Sequence, residues 1–117
     1  MLRLEALTID CDDHLAVARF WEAALGWEIA ETDDEGTVLR PPAGVGATEL
    51  LFLKVPDRKS SKNRLHLDLR PDDQAAEVAR LEGIGARRVE IGQTDEVTWV
   101  VLADPEGNEF CVLRATS

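Results

Sequence analysis

The chain has 117 residues, 44 % of them hydrophobic and 31 % charged, the size and make-up of one globular domain able to bury a core. Its net charge of −10 excludes the basic footprint that nucleic acid requires and argues against an anionic membrane surface. A field of that sign draws in cationic ligands, and it also keeps a small protein soluble.

The first apolar alternation, Leu2-Leu4-Ala6 and Leu7-Ile9, predicts a strand. Asp12 or Asp13 then offers an N-cap oxygen to a helix on which Val17, Phe20, Trp21, Ala24 and Leu25 share one face, and Gly26 ends it. Trp21 falls among these core positions, while His14 is expected to be exposed. Residues 27–30 alternate as a strand and run into the acidic turn Asp33-Asp34-Glu35-Gly36, where the glycine is expected to supply a positive φ. A short strand at 37–39 stops at Pro41-Pro42, and residues 49–55 form the fourth strand. A charged connector at 56–62 follows. The order then repeats: a strand at 65–69, the turn Pro71-Asp72-Asp73, a helix through Val78 and Leu81 to Gly83, and strands near 87–91, 97–102 and 109–113. Asp104-Pro105-Glu106-Gly107-Asn108 joins the last two strands as a turn.

The repetition extends to residue type. Glu49-Leu50-Leu51-Phe52-Leu53-Lys54-Val55 lies on Glu109-Phe110-Cys111-Val112-Leu113-Arg114-Ala115 at an offset of 60. The same offset lays Asp12-Asp13 on Asp72-Asp73 and Ala6-Leu7-Thr8-Ile9 on His66-Leu67-Asp68-Leu69. Internal symmetry of this kind identifies two copies of one supersecondary unit. The expectation is an α+β chain of two tandem βαβββ modules, module 1 at about 1–55 and module 2 at about 64–117, within a single domain spanning 1–117.

That order, with these residues, resembles the vicinal oxygen chelate superfamily of glyoxalase I, extradiol dioxygenases and bleomycin-binding proteins. The segment from Asp13 through Phe20, Trp21, Leu25 and Gly26 is similar to its "D…FY…LG" helix, with Trp21 standing for Tyr. The segment from Asp104 to Phe110 is similar to its "DPDGN" turn and last strand. With Asn63-Arg64-Leu65-His66-Leu67-Asp68-Leu69 these segments resemble the glyoxalase-like subgroup. The resemblance covers nearly the whole chain. It implies curved sheets forming a cup between the modules and, in the enzymes, a divalent metal held by four inward ligands. Imidazole and carboxylate suit such ions, whose open positions polarise substrate oxygens.

Carried over residue by residue, the implied first-strand ligand positions are Ala6 and His66, and the last-strand position is Cys111 where the family has Glu. In the fourth strand the repeat points to Leu51, whereas a direct match of Thr48-Glu49-Leu50 points to Glu49. Ala6 offers no donor. The four-ligand set is therefore incomplete: no cofactor is expected and no stoichiometric divalent ion at that position, with a divalent metal on a modified ligand set as the alternative.

Period-2 alternation puts Glu109 on the face of Cys111 and Glu49 on the face of Leu51. His66, Glu109 and Glu49 are thus the candidates for catalysis, with Trp99 and Cys111 lining the same ligand pocket. The competing readings are plain: an interior hydrogen-bonded His66, strand-starting carboxylates in solvent, and Cys111 as a small core residue. Arg64, at the module junction, is a solvated arginine or meets an anionic group. No nucleophilic triad is visible, and Gly44-Val45-Gly46-Ala47 lacks the strand–turn–helix setting of a phosphate loop.

Two function classes follow from the resemblance. One is a glyoxalase-like lyase or isomerase acting on, or a protein binding, a small oxygenated metabolite in the cup. The other is a metal-free module that sequesters a cationic or aromatic small molecule. No apolar run approaches the ~20 residues that span a bilayer, and Met1-Leu2-Arg3-Leu4-Glu5 lacks the pattern of a signal peptide. Cys11 and Cys111 are the only cysteines and have no framework spacing, so a cytoplasmic chain with reduced thiols is expected. Relatives of this type commonly pair, so a homodimer is expected; a monomer mass by light scattering at tens of micromolar would count against it.

Overall fold

The computed structural model describes residues 1–56, 59–61, 63–89 and 98–115. The chain divides into two compact units, Met1–Arg58 and Lys59–Ser117. The first contains β1 (Ala6–Cys11), α1 (His14–Leu25), β2 (Glu28–Thr32), β3 (Gly36–Arg40) and β4 (Glu49–Lys54). The second contains β5 (Leu67–Leu69), α2 (Gln74–Gly83), β6 (Arg87–Arg88), β7 (Val100–Ala103) and β8 (Glu109–Val112). Each unit is therefore βαβββ, and each forms a four-stranded sheet in which the first strand lies beside the last: β1-β4-β3-β2 and β5-β8-β7-β6.

The 60-residue repeat reappears as strand register. In the parallel β1–β4 pair Leu7 faces Leu50, Thr8 faces Leu51 and Ile9 faces Phe52. In the parallel β5–β8 pair Leu67 faces Phe110, Asp68 faces Cys111 and Leu69 faces Val112, each residue 60 further on. The antiparallel neighbours depart from that offset. Val38 faces Leu51 while Val101 faces Cys111, so β7 stands 63 residues beyond β3. The difference is absorbed where residues 41–48 of the first unit are replaced by the tighter turn 104–108 of the second.

Both helices start where the sequence asks. Asp13 and Asp73 are the N-caps, their carboxylates accepting from the amides of Ala16 and Ala76 at 3.1 Å each. Gly26 closes α1 with φ 71°, left-handed backbone that glycine adopts without a Cβ clash. Helix α1 packs on β3 and β4, and Val17, Ala18, Phe20 and Trp21 are buried with Leu39, Leu50 and Phe52. Each large side chain removed from water in this way contributes roughly 1.5–3 kcal/mol. Trp21 is a core residue as expected, its ring meeting that of Phe20 edge to face at 5.1 Å.

Several boundaries differ from the sequence pattern. Strand β1 begins at Ala6, and Leu2 and Leu4 are exposed, because the partner strand β4 begins at Glu49 opposite Ala6. Strand β5 starts at Leu67 rather than 65, leaving Leu65 exposed. Residues 90–91 and Val97 of the expected sixth and seventh strands, and Asp57, Arg58 and Lys62 of the connector, lie outside the described residues. His14 is half-buried rather than exposed: its Nδ1 is 2.8 Å from the hydroxyl of the fully buried Thr37, which also meets Thr32 Oγ1 at 2.9 Å. Among the described residues no helix is long and apolar enough to cross a membrane.

Gly36 does not have the positive φ expected of it. The turn is held instead by Asp33, whose carboxylate accepts from the amides of Glu35 and Gly36 at 2.8 and 3.1 Å. Those two bonds hold the Asp33 carboxyl below the ordinary carboxylate range. Glycine is needed at 36 for room, since a Cβ there would lie 2.9 Å from the Phe52 carbonyl oxygen of the neighbouring strand. Gly36→Ala should therefore lower unfolding stability by about 1–3 kcal/mol in urea titration; an unchanged midpoint would show that the β3–β4 pair yields freely.

Candidate functional site

The second unit carries a pocket of about 410 Å³, within the size range of small-molecule sites. Its construction follows from register. Asp68 on β5 faces Cys111 on β8, and Cys111 also faces Val101 on β7. Alternation along each strand adds His66 beside Asp68, and Glu109 and Leu113 beside Cys111. All of these line the pocket, together with Trp99 and Asn63. The alternate residues Phe110 and Val112 are buried in strand β8, which packs against α2.

Three donors converge on one side. His66 Nε2 lies 3.3 Å from Asp68 Oδ1, and both side chains are about half exposed. Cys111, 8 % exposed, completes a group whose imidazole nitrogen, carboxylate oxygen and sulfur all lie within 4.8 Å of one another. Glu109 sits deeper, with its side chain 15 % exposed. Its carboxylate is 3.9 Å from Lys59 Nζ and 3.5 Å from the amide of Asn63. Asn63 holds the start of β8 in return: its Oδ1 accepts from the Glu109 amide at 3.1 Å, and its Nδ2 donates to Asn108 at 3.4 Å.

The turn before β8 aims Glu109. Asp104 is buried, and its Oδ1 accepts from the amides of Glu106 and Asn108 at 2.9 Å each. Gly107 takes φ 88°, which a side chain would resist. Gln74 at the start of α2 donates to the carbonyls of Thr98 and Val112 at 2.8 and 3.0 Å. This pins the segment that presents Trp99, which remains 41 % exposed.

Of the residues singled out from sequence, His66, Glu109, Cys111 and Trp99 thus meet in one pocket. Glu49 belongs to the first unit, where its carboxylate takes a 2.6 Å bond from Arg40 Nε and raises that guanidinium's pKa. Asp68, Asn63 and Gln74 were not foreseen. Asp68 could have been found from its position two residues after His66 on a strand; Asn63 and Gln74 act through loop geometry that leaves no sequence signal.

The register also decides which residues occupy the four-ligand positions. Leu51 faces Thr8 as Cys111 faces Asp68, so Leu51, not Glu49, is the counterpart of Cys111. Ala6 and Leu51 then supply no donor from the first unit. The residues present do not fit the four-ligand divalent centre.

Tandem βαβββ modules, each with its first strand parallel to its last, and a pocket on the sheet of one of them define the glyoxalase-like class of α+β protein. The sequence profile of the glyoxalase-like domain family matches residues 6–113, and the chain belongs to that family. No curated protein sequence matches it. Among solved structures it is similar to a glyoxalase/bleomycin resistance protein/dioxygenase family enzyme from Burkholderia phytofirmans PsJN, at 19 % identity and TM-score 0.75, over 97 % of this chain and 99 % of that one. It is also similar to TnmS3, an antibiotic binding protein from Streptomyces sp. CB03234, at 20 % identity and TM-score 0.66, over 99 % and 98 %. A bleomycin resistance determinant encoded on the transposon Tn5 matches at 19 % identity and TM-score 0.61, over 99 % and 100 %. At these identities the likeness establishes the fold, and the site must speak for function.

Asn63→Ala should speed hydrogen exchange at the Glu109 amide and cost about 0.5–1.5 kcal/mol of stability, the usual net worth of a lost hydrogen bond. Unchanged exchange at Glu109 would show that the turn alone sets the start of β8.

Proposed function

We propose that the second unit's pocket binds a small oxygenated metabolite and that His66 moves a proton on it, as a lyase or isomerase of the glyoxalase-like type would. The observation that carries this is the His66–Asp68 pair, 3.3 Å apart at a pocket walled by Val101, Leu113 and Trp99. A carboxylate against one ring nitrogen orients the imidazole, leaving the other nitrogen to accept a proton. Asp68 is then a positioning residue and His66 the base. Glu109, held by Lys59 and Asn63, gives the pocket a polar end where a substrate hydroxyl can donate. Glu49 is engaged with Arg40 in the other unit.

The test is proton exchange on chelator-treated protein in deuterated water, with a panel of small α-hydroxy and α-oxo carbonyl compounds followed by NMR. His66→Ala should slow exchange by about 10²–10⁴, the usual worth of a positioned base. Trp99→Ala should raise KM with kcat nearly unchanged, since stacking would be equal in ground and transition states. Exchange at the wild-type rate in His66→Ala would overturn the proposal.

A second reading is favoured by one observation, the exposed indole of Trp99 beside the carboxylates of Asp68 and Glu109. A planar or cationic molecule could stack there, and the protein would act as a binding module without chemistry. In that case Trp99→Ala removes binding of a planar aromatic cation in calorimetry, Glu109→Gln weakens it and reduces its salt dependence, and His66→Ala leaves it intact. The expected homodimer and cytoplasmic location fit either reading.

A further inference from the structure

We infer that His66, Asp68 and Cys111 form a three-ligand site for a thiophilic divalent cation of the zinc or cobalt(II) kind, built on the two adjacent strands β5 and β8. The site differs from the four-ligand centre in needing nothing from the first unit and in using Asp68, which that centre does not include.

Three features of the molecule support it. The donor atoms already lie within 4.8 Å of one another. In tetrahedral coordination with bonds of ~2.0–2.3 Å, ligand atoms stand about 3.3–3.8 Å apart, so side-chain rotations of about an ångström close the group. His66 and Asp68 are about half exposed and can make those rotations, while Cys111 is fixed by the ladder that sets it opposite Asp68. Finally, imidazole, carboxylate and thiolate together suit zinc or cobalt and disfavour magnesium, calcium and manganese, which prefer all-oxygen sites.

Three protein ligands leave a fourth position for water or a ligand donor, as in catalytic rather than structural zinc sites. Binding requires the Cys111 thiol to lose its proton, so one proton is released to solvent as the metal–sulfur bond forms. The sequence expectation of no stoichiometric ion concerns the four-ligand position, which does not include Asp68. The inference is independent of the proton-transfer proposal. A bound cation would occupy the imidazole that serves as base, so the two are measured on metal-loaded and chelator-treated protein respectively.

The experiment is titration of the reduced, chelator-treated chain with cobalt(II), followed by near-ultraviolet and visible absorbance. Saturation at one equivalent with a sulfur-to-cobalt charge-transfer band is expected, reversed by one equivalent of zinc. Cys111→Ser should abolish that band, and His66→Ala and Asp68→Asn should each weaken binding at least about tenfold, no less than outer-shell partners typically cost. Cys11→Ser, which alters the buried thiol 3.7 Å from the Leu53 carbonyl in the first unit, should leave the band unchanged. Circular dichroism of each variant separates loss of ligand from loss of fold. The inference is overturned if folded wild type shows no charge-transfer band, if Cys111→Ser retains it, or if neither His66→Ala nor Asp68→Asn weakens binding.

Discussion

Each unit depends on the pairing of its first strand with its last. A parallel pair cannot be joined by a tight turn, so the intervening helix and two strands are the connection that pairing demands. With β1 and β4 locked side by side, and β5 and β8 likewise, the remaining strands add along the β4 and β8 edges. The helix has one face of the sheet to cover. The register of this pair is repeated to the residue between the units, while the antiparallel strands beside it shift by three. A slip of one residue in β8 would send Cys111 and Glu109 to the opposite face of the sheet. The register is thus the constraint on which both core and site rest.

The same sheet does opposite things on its two faces. In the second unit Phe110 and Val112 are buried, with β8 packed against α2, and Leu81 and Val78 join them in the core. The other face gathers the imidazole, the two carboxylates and the thiol, with an exposed indole at its side. These groups have different standing. Glu109 is matched with Lys59 and the amide of Asn63. The His66–Asp68 pair is about half exposed, where such a contact contributes little to stability. A pair that does little for the fold is free to serve a ligand.

Duplication explains why the pocket chemistry is one-sided. At positions where the second unit has His66, Asp68 and Cys111, the first has Ala6, Thr8 and Leu51. The first unit carries instead a hydroxyl–imidazole cluster of Thr37, Thr32 and His14, fully satisfied and partly buried. Matching backbone with unmatched side chains lets one copy maintain the fold while the other carries reactive groups.

The sequence alone determined the two-copy plan, an aspartate N-cap at 12 or 13 and at 72 or 73, the core role of Trp21, and the sharing of one face by Glu109 and Cys111. These follow from period, spacing and turn chemistry, which are local properties. The ends of β1 and β5, the half-buried state of His14, the steric role of Gly36 and the choice of Leu51 over Glu49 were decided by tertiary structure. Each depends on which backbone lies alongside, and strand pairing joins residues some forty positions apart. Asp68 shows the boundary most clearly. Its alternation with His66 is written in the chain, but its nearness to Cys111 exists only because β5 and β8 lie side by side in one register.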